Sequence, residues 1–316
     1  VSTQKQSGII LFKDLTEQQK NELLKFLRVF QPFGTYESLS AMDEVFGGSI
    51  YEYGKHHLSL WRDGMPKVTL GWVDREIQPQ GIFYLSHCFS TEEGLVDWQN
   101  AFNEVISQLK QQGHQTPNGC LEMRFGIRGS GLNHLENWAV QSSWQPLYAM
   151  VLMEKCLSCE GLESVTPFQI QILNKENWQA FKSIQNEGFK QVPNGMLLSD
   201  ADLEDALEAQ AKGKEVNWLM LDMGKPVAIS TLIYHKANGK VTLDALAVDP
   251  QFHGRGVGWQ ALQSLEWHLS QLEPEITHIE LMVMDANTRA YQLYLKAGFK
   301  VQRTEVNWMA LSIPWE

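Results

Sequence analysis

Apolar residues along the chain fall into two kinds of stretch. Short runs with alternating or continuous apolar character read as strands, and longer stretches with apolar positions every three or four residues read as helices. Near residue 84 the chain reads YLSHCFS, and near 242 it reads TLDALAVDP, each followed by a long helical pattern. The strand-like LEMRFGI (121–127) and IELMVMD (279–285) come next, each leading into another helix, and LYAMVLMEK (147–155) and VNWMALS (306–312) close the two series. Leu85 and Leu121 stand 36 positions apart, as do Leu243 and Ile279, and the two pairs repeat at an offset of 158, half the chain. The closing strands depart from that offset by about one residue. Three matches in the same order predict a duplication. The expected organisation is two similar domains, 1–160 and 161–316, joined near 155–165, each a mixed α/β (α+β) fold.

In the second half FQIQIL (168–173) predicts a strand and ENWQAFKSIQNEGF (176–189) a helix. Asp200, or Ser199 before it, is placed to cap the helix DLEDALEAQAKG, which Gly213 ends. WLMLDMG (218–224) and VAISTLIYH (227–235) predict a hairpin around Gly224-Lys225. The strand of residues 242–248 follows, then a glycine-rich turn, then a helix with Ala261, Leu262, Leu265 and Leu269 on one face. The predicted order is β-α-α-β-β-β-α-β-α-β.

That turn, DPQFHGRGVGWQAL (249–262), carries the clearest chemistry. A strand that enters a helix through glycines leaves the first backbone N–H groups unpaired and pointing outward, and the helix dipole favours an anion there. Gly254, Gly256 and Gly258 let backbone approach a diphosphate with no Cβ in the way, and Arg255 and His253 are placed to add charge or hydrogen bonds. From this loop alone, a plain glycine-rich turn is an equal alternative. The Walker pattern is absent, and the glycines run G-x-G-x-G with Trp259 where a dinucleotide fingerprint needs its last glycine.

The spacing resembles the GNAT superfamily of N-acetyltransferases, whose Arg/Gln-x-x-Gly-x-Gly/Ala turn after the fourth strand holds the pyrophosphate of acetyl-CoA. His253 falls at the first position of that pattern, a departure from Arg or Gln, followed by Gly254, Arg255, Gly256, Val257 and Gly258. NTRAYQLYLKAGF (287–299) is similar to the superfamily's N-x-x-A-x-x-L-Y-x-K-x-G-F signature. It also makes sense unaided: Asn287 caps a helix, Ala290, Leu293 and Ala297 share a face, and Gly298 ends it before Phe299. The resemblance covers residues 165–316 directly and the first half through the repeat, a tandem layout similar to that of mycothiol synthase. It implies GNAT-like domains, each a mostly antiparallel mixed sheet flanked by helices.

It further implies direct attack of an amine on the thioester of acetyl-CoA without an acyl-enzyme, and the chain shows no nucleophile elbow. Leu246, Ala247 and Val248 match the stretch whose backbone pairs with the pantetheine amides, and Asn287 belongs to the cofactor signature. Tyr294 matches the tyrosine that commonly protonates the leaving thiolate. An amine of pKa about 10.4 needs roughly 4–5 kcal/mol to lose its proton at pH 7, so a base is required. Asp244 is the candidate, sharing a strand face with Thr242, Leu246 and Val248 by simple alternation, with a solvated edge residue as the equal alternative. Asp285 is the poorer choice. A non-catalytic acyl-CoA-binding or regulatory protein, its first half an interaction domain, is the other reading; the two differ in whether Tyr294 and Asp244 matter to turnover.

At the offset of 158, positions 253–258 correspond to Leu95, Val96, Asp97, Trp98, Gln99 and Asn100, so bulky groups and a carboxylate replace the glycines. The first half is therefore expected to be degenerate, without a phosphate loop. Lys and Arg number 26 against 37 Asp and Glu, a net charge of -11, which disfavours nucleic acid and anionic membranes and leans toward a cationic acceptor. The polar N-terminus, the lack of an 18-residue apolar span and four cysteines make the cytoplasm the expected compartment. KCLSC (155–159) is a lone pair of cysteines and the nine histidines are scattered, so no metal is expected. GIRGSGLNH (126–134) reads as a helix-entry turn. A monomer or homodimer acting on a small-molecule or peptide amine is the resulting picture.

Overall fold

The hairpin expected in the second half forms with its turn one residue earlier than the sequence suggests. Asp222 pairs with Lys225, and Met223 and Gly224 make the two-residue loop with φ of 47° and 79°, the primed-turn geometry that suits twisted strands. The computed structural model that shows this describes residues 7–31, 34–129, 132–157, 167–190, 192, 197–235 and 238–315. The expected junction at 155–165 and Cys159 lie mostly or wholly outside the described residues. Two units are present: residues 1–149 with 305–316, and residues 150–304.

The first unit contains β1 (Gly8–Leu11), α1 (Glu17–Phe30), α2 (Leu39–Phe46), β2 (His57–Arg62), β3 (Met65–Val73), α3 (Ile77–Gln80), β4 (Ile82–Ser90), α4 (Leu95–Gln112), β5 (Cys120–Arg128) and α5 (Asn133–Gln141). β6 (Gln145–Cys156) follows and belongs to the second unit from Met150 onward. The second unit continues with β7 (Gln169–Ile172), α6 (Trp178–Phe189), α7 (Asp200–Ala211), β8 (Glu215–Asp222), β9 (Lys225–His235), β10 (Lys240–Val248), α8 (Val257–Leu272), β11 (His278–Met284) and α9 (Thr288–Lys296). Ser199 caps α7 reciprocally with Asp202. β12 (Lys300–Pro314) ends the chain.

The strand order is β1-β2-β3-β4-β5-β12 in the first unit and β7-β8-β9-β10-β11-β6 in the second. Within each unit the strands pair antiparallel except for one parallel pair, β4 with β5 and β10 with β11, which is the mixed pairing expected. Ile82 lies opposite Glu122 and Lys240 opposite His278, so the two parallel pairs differ in register by two residues. An even shift keeps every side chain on its face.

The boundary differs from a division at 160 because the closing strands are exchanged. β12 runs along β5 from Val306↔Arg128 to Pro314↔Cys120, and β6 runs along β11 from Met150↔Met284 to Cys156↔His278. Specific side chains favour this pairing. Gly126 lies under Trp308, whose ring atoms are 3.0–3.1 Å from where a Cβ would stand, so a larger residue would have to push the indole aside. Lys155 on β6 makes a two-pronged ion pair at 2.7 and 2.8 Å with the buried Glu266 on α8.

In the second unit α6 and α7 cover one sheet face through Phe181, Ile184 and Leu203, while α8 and α9 cover the other through Leu262, Leu265, Leu269 and Tyr294. Among the described residues no helix is long and apolar enough to cross a membrane.

Candidate active site

β10 is interrupted at its centre. Leu243 pairs with Leu232 and Ala245 with Thr231, leaving Asp244 as an extra residue, a β-bulge. The phase of alternation flips there: Val241 and Leu243 pack on the α8 face, and so do Leu246 and Val248, while Ala245 and Ala247 face α6. Asp244 therefore does not share a face with Leu246 and Val248, as unbroken alternation predicts. The parallel pairing of β10 with β11 runs from Lys240↔His278 to Leu243↔Leu281, so the bulge falls where the described pairing stops.

A cleft of about 380 Å³ opens at this end of β10. Leu246, Ala247 and Val248 line it from the strand, and His253, Gly254, Gly256, Val257 and Gly258 from the turn. Asn287 and Tyr294 line it from α9. Gly254 and Gly256 have φ of +76° and +80°, a region that strains residues with a Cβ. Gly258 differs: a Cβ there would meet Leu293 at 3.6 Å and Val248 at 3.7 Å, ordinary contacts. Gly256 is the N-cap of α8 and offers no side chain to the first helical N–H groups. Those donors suit an anion.

The side chains expected to add charge are used otherwise. His253 donates its Nε2 proton to the Val248 carbonyl at 2.9 Å, which ties the turn back to the strand. Arg255 is not part of the cleft lining; its guanidinium lies 5.9 Å from the Phe252 ring centre.

α9 begins as its sequence suggests, with Asn287 Oδ1 accepting from the Ala290 N–H at 3.2 Å. Tyr294 is 8% exposed, and its ring meets Phe299 edge-on at 5.6 Å. Burial pushes its pKa up to about 12. It therefore keeps its proton at neutral pH, and its hydroxyl has no hydrogen-bond partner among the described residues.

Asp244 lies outside the cleft lining, two residues before Leu246. Its side chain reaches solvent, yet the surrounding protein desolvates the carboxyl and raises its pKa above the usual carboxylate value. Glu215 stands close enough to feel that charge: burial raises the Glu215 pKa first, and Asp244 adds to it. Asn217 Nδ2 donates to Glu215 at 2.9 Å, and Thr231 donates to Asn217 Oδ1 at 2.7 Å, which fixes the carboxylate on the sheet. Neither Asp244 nor Glu215 has an ion-pair partner among the described residues. Asp285 is exposed and also outside the cleft lining.

Other lining residues were not anticipated. Gly188 of α6 approaches β10 so closely that a Cβ would stand 2.8 Å from that of Ala247; a glycine inside a helical pattern is the sequence signal for such contact. Trp259 and Arg289 also line the cleft, and nothing in their spacing marks them; Leu293 lines it from the face it shares with Ala290 and Ala297. Among the described residues no group of three or more His, Cys, Asp or Glu is arranged to hold a metal ion.

Residues 178–299 match the profile of the acetyltransferase (GNAT) family. A 63-residue stretch is 41% identical to a mycothiol acetyltransferase of Propionibacterium freudenreichii subsp. shermanii, covering 20% of each chain. A stretch of the same length is 35% identical to the spermine/spermidine N(1)-acetyltransferase of Bacillus subtilis, covering 20% of this chain and 41% of that protein. The match thus spans between a fifth and about two fifths of these relatives' length. The fold is similar over nearly the whole chain to two solved structures. A GCN5-related N-acetyltransferase from Sphaerobacter thermophilus aligns with a TM-score of 0.69 and 15% identity over 97% of this chain and 96% of that one. A tandem GNAT protein from the clavulanic acid biosynthesis pathway aligns with a TM-score of 0.64 and 10% identity over 98% of both chains.

Proposed function

We propose, from the match of residues 178–299 to the acetyltransferase (GNAT) family and from the geometry of the cleft, that the chain moves the acetyl group of acetyl-CoA directly to a primary amine at the second-unit cleft. The observation that carries this reading is the placement of an unpartnered, protonated Tyr294 hydroxyl in the same cleft as the glycine turn. The turn and the start of α8 hold the diphosphate, and the backbone of Leu246 to Val248, beyond the last β11 pair at Leu243, holds the pantetheine amides. The acceptor arrives as an ammonium; Asp244, directly or through a water, takes its proton. The neutral nitrogen attacks the thioester carbonyl carbon, the C–S bond breaks and the departing sulfur takes the Tyr294 proton, while the acylated nitrogen gives up its second proton, through water, to restore Tyr294. No acyl-enzyme forms.

Two carboxylates without cations, Asp244 and Glu215, favour an acceptor carrying positive charge, and the similarity to a spermine/spermidine acetyltransferase makes a polyamine the first to try. The first unit lacks the turn, and its role in this reading is structural.

Thermal melting and thiol release test the proposal. Acetyl-CoA at about 100 times its dissociation constant adds about 2.7 kcal/mol, a clear rise in Tm. Thiol release that depends on spermidine or another primary amine is the expected second result. No rise in Tm removes the reading. A rise without thiol release across a broad amine panel replaces it with the non-catalytic acyl-CoA-binding alternative.

A further inference from the structure

We infer that Arg289 supplies the cation that holds the phosphate charge of the co-substrate. This rests on the acetyl-CoA reading of the cleft and extends it to a residue outside the glycine turn. The molecule carries a net charge of -11, yet no carboxylate lines the cleft, and Arg289 is its one fully cationic lining residue among those described. A cleft so lined selects an anion.

The other cations near the turn are otherwise engaged. Arg255 is outside the lining and stacks toward Phe252, and His253 gives its Nε2 proton to Val248. The Lys296 ammonium stands 4.9 Å over the Trp259 ring, a cation–π contact. Arg289, Leu293 and Lys296 follow one another at helical spacing along α9, with Leu293 beside Gly258 and Lys296 beside Trp259. Arg289 is thus in the first turn of α9, one turn before the residue that meets Gly258. Its side chain is exposed and forms no ion pair among the described residues. A guanidinium here provides two parallel donors for phosphate oxygens, which the backbone of the turn cannot supply with charge.

Calorimetric titration of the full chain with acetyl-CoA, acetyl-3′-dephospho-CoA and acetyl-pantetheine tests this, on the wild type, Arg289→Gln and Arg289→Lys. Arg289→Gln should weaken acetyl-CoA by about tenfold or more, Arg289→Lys should recover part of that loss, and acetyl-pantetheine should bind all three proteins alike. A penalty that disappears with the dephospho compound assigns Arg289 to the 3′-phosphate. One that persists there and disappears with acetyl-pantetheine assigns it to the diphosphate. Equal binding of acetyl-CoA by wild type and Arg289→Gln overturns the inference while leaving the acetyltransferase reading in place. A wild type that binds none of the three overturns both.

Discussion

The two units share a strand order, a single parallel pair and a bulge in the strand that precedes the long helix, yet differ in what fills the space beyond it. In the second unit Gly256 starts α8 beside an open cleft. In the first, α4 also starts at a glycine, the buried Gly94, and Trp98, 158 positions before Gly256, is fully buried in its first turn. Its indole lies on Phe125 with ring centres 5.1 Å apart, and Trp138 meets it edge-on at 5.5 Å. Asp97 beside it is buried and paired with Arg62. The later helices differ as well. Phe299 N–H bonds to the Tyr294 carbonyl and Trp144 N–H to that of Ala139, and Gly298 and Ser143, each preceding the donor, have φ of 90° and 67°. Ala139, fully buried, therefore stands where the second unit has Tyr294. The same architecture makes a packed core in one unit and a ligand cleft in the other through a few side-chain volumes.

Filling the turn of the second unit should have the largest effect. Gly256→Trp places a Cβ at φ +80° and an indole at the turn, and it should leave no measurable acetyl-CoA binding by calorimetry while the circular dichroism spectrum is kept. Binding at wild-type strength would mean that the anion site lies elsewhere. Next comes Tyr294→Phe, expected to lower kcat by about 10²–10⁴ with the acetyl-CoA dissociation constant unchanged. A parallel loss of affinity would make the tyrosine a packing residue instead.

Trp98→Ala sharpens the comparison from the other side. Emptying that fully buried site should cost about 3–5 kcal/mol of stability in denaturant unfolding. The variant should still bind one equivalent of acetyl-CoA, because opening a cavity installs neither the glycine backbone nor the tyrosine. A second equivalent would show that bulk alone closes the first unit.

How much of this could be read from the chain depends on whether the cause is local. The repeat was legible because strand alternation and helix spacing are local, and β4/β10 and β5/β11 fall where the pattern puts them. The turn at 253–258 and the cap at Asn287 were legible because special φ values and unpaired N–H groups demand particular residues. The strand exchange was not, since an apolar alternating strand fits either sheet edge; the Trp308–Gly126 contact joins residues 182 positions apart. Nor was the bulge, because one inserted residue leaves no mark in an apolar run, and it moved Asp244 off the face that alternation assigns. The offset between the units also changes, from 162 at the helix N-caps Gly94 and Gly256 to 155 at Ala139 and Tyr294, so a fixed offset of 158 misaligns the helices. Arg289 was illegible for a simpler reason: an arginine in an exposed first turn looks like any solvated residue.

The smallest expected effect concerns the bulge. The first unit has its bulge at residues 87–88, next to Ser86, which is buried and hydrogen-bonded to the Tyr51 hydroxyl at 2.7 Å; the second has Asp244 in its bulge, with no cation beside it. Desolvation raises the Asp244 pKa, so the folded state binds its proton more tightly than the unfolded state does. Stability from this group is then present at low pH and is lost as pH rises through the folded pKa, leaving the ionised carboxylate a liability at neutral pH. Asp244→Asn mimics the protonated form. It should raise Tm modestly at pH 7, and the gain should shrink as pH falls below the raised pKa, where the wild type is itself protonated. The same substitution should remove the acid limb of kcat/KM, which in the wild type falls as Asp244 takes up its proton. Tyr294, held near 12, should add no basic limb below about pH 11. A variant with lower Tm and an unchanged pH profile would show that the carboxylate is a solvated strand residue and that the proton leaves by another route.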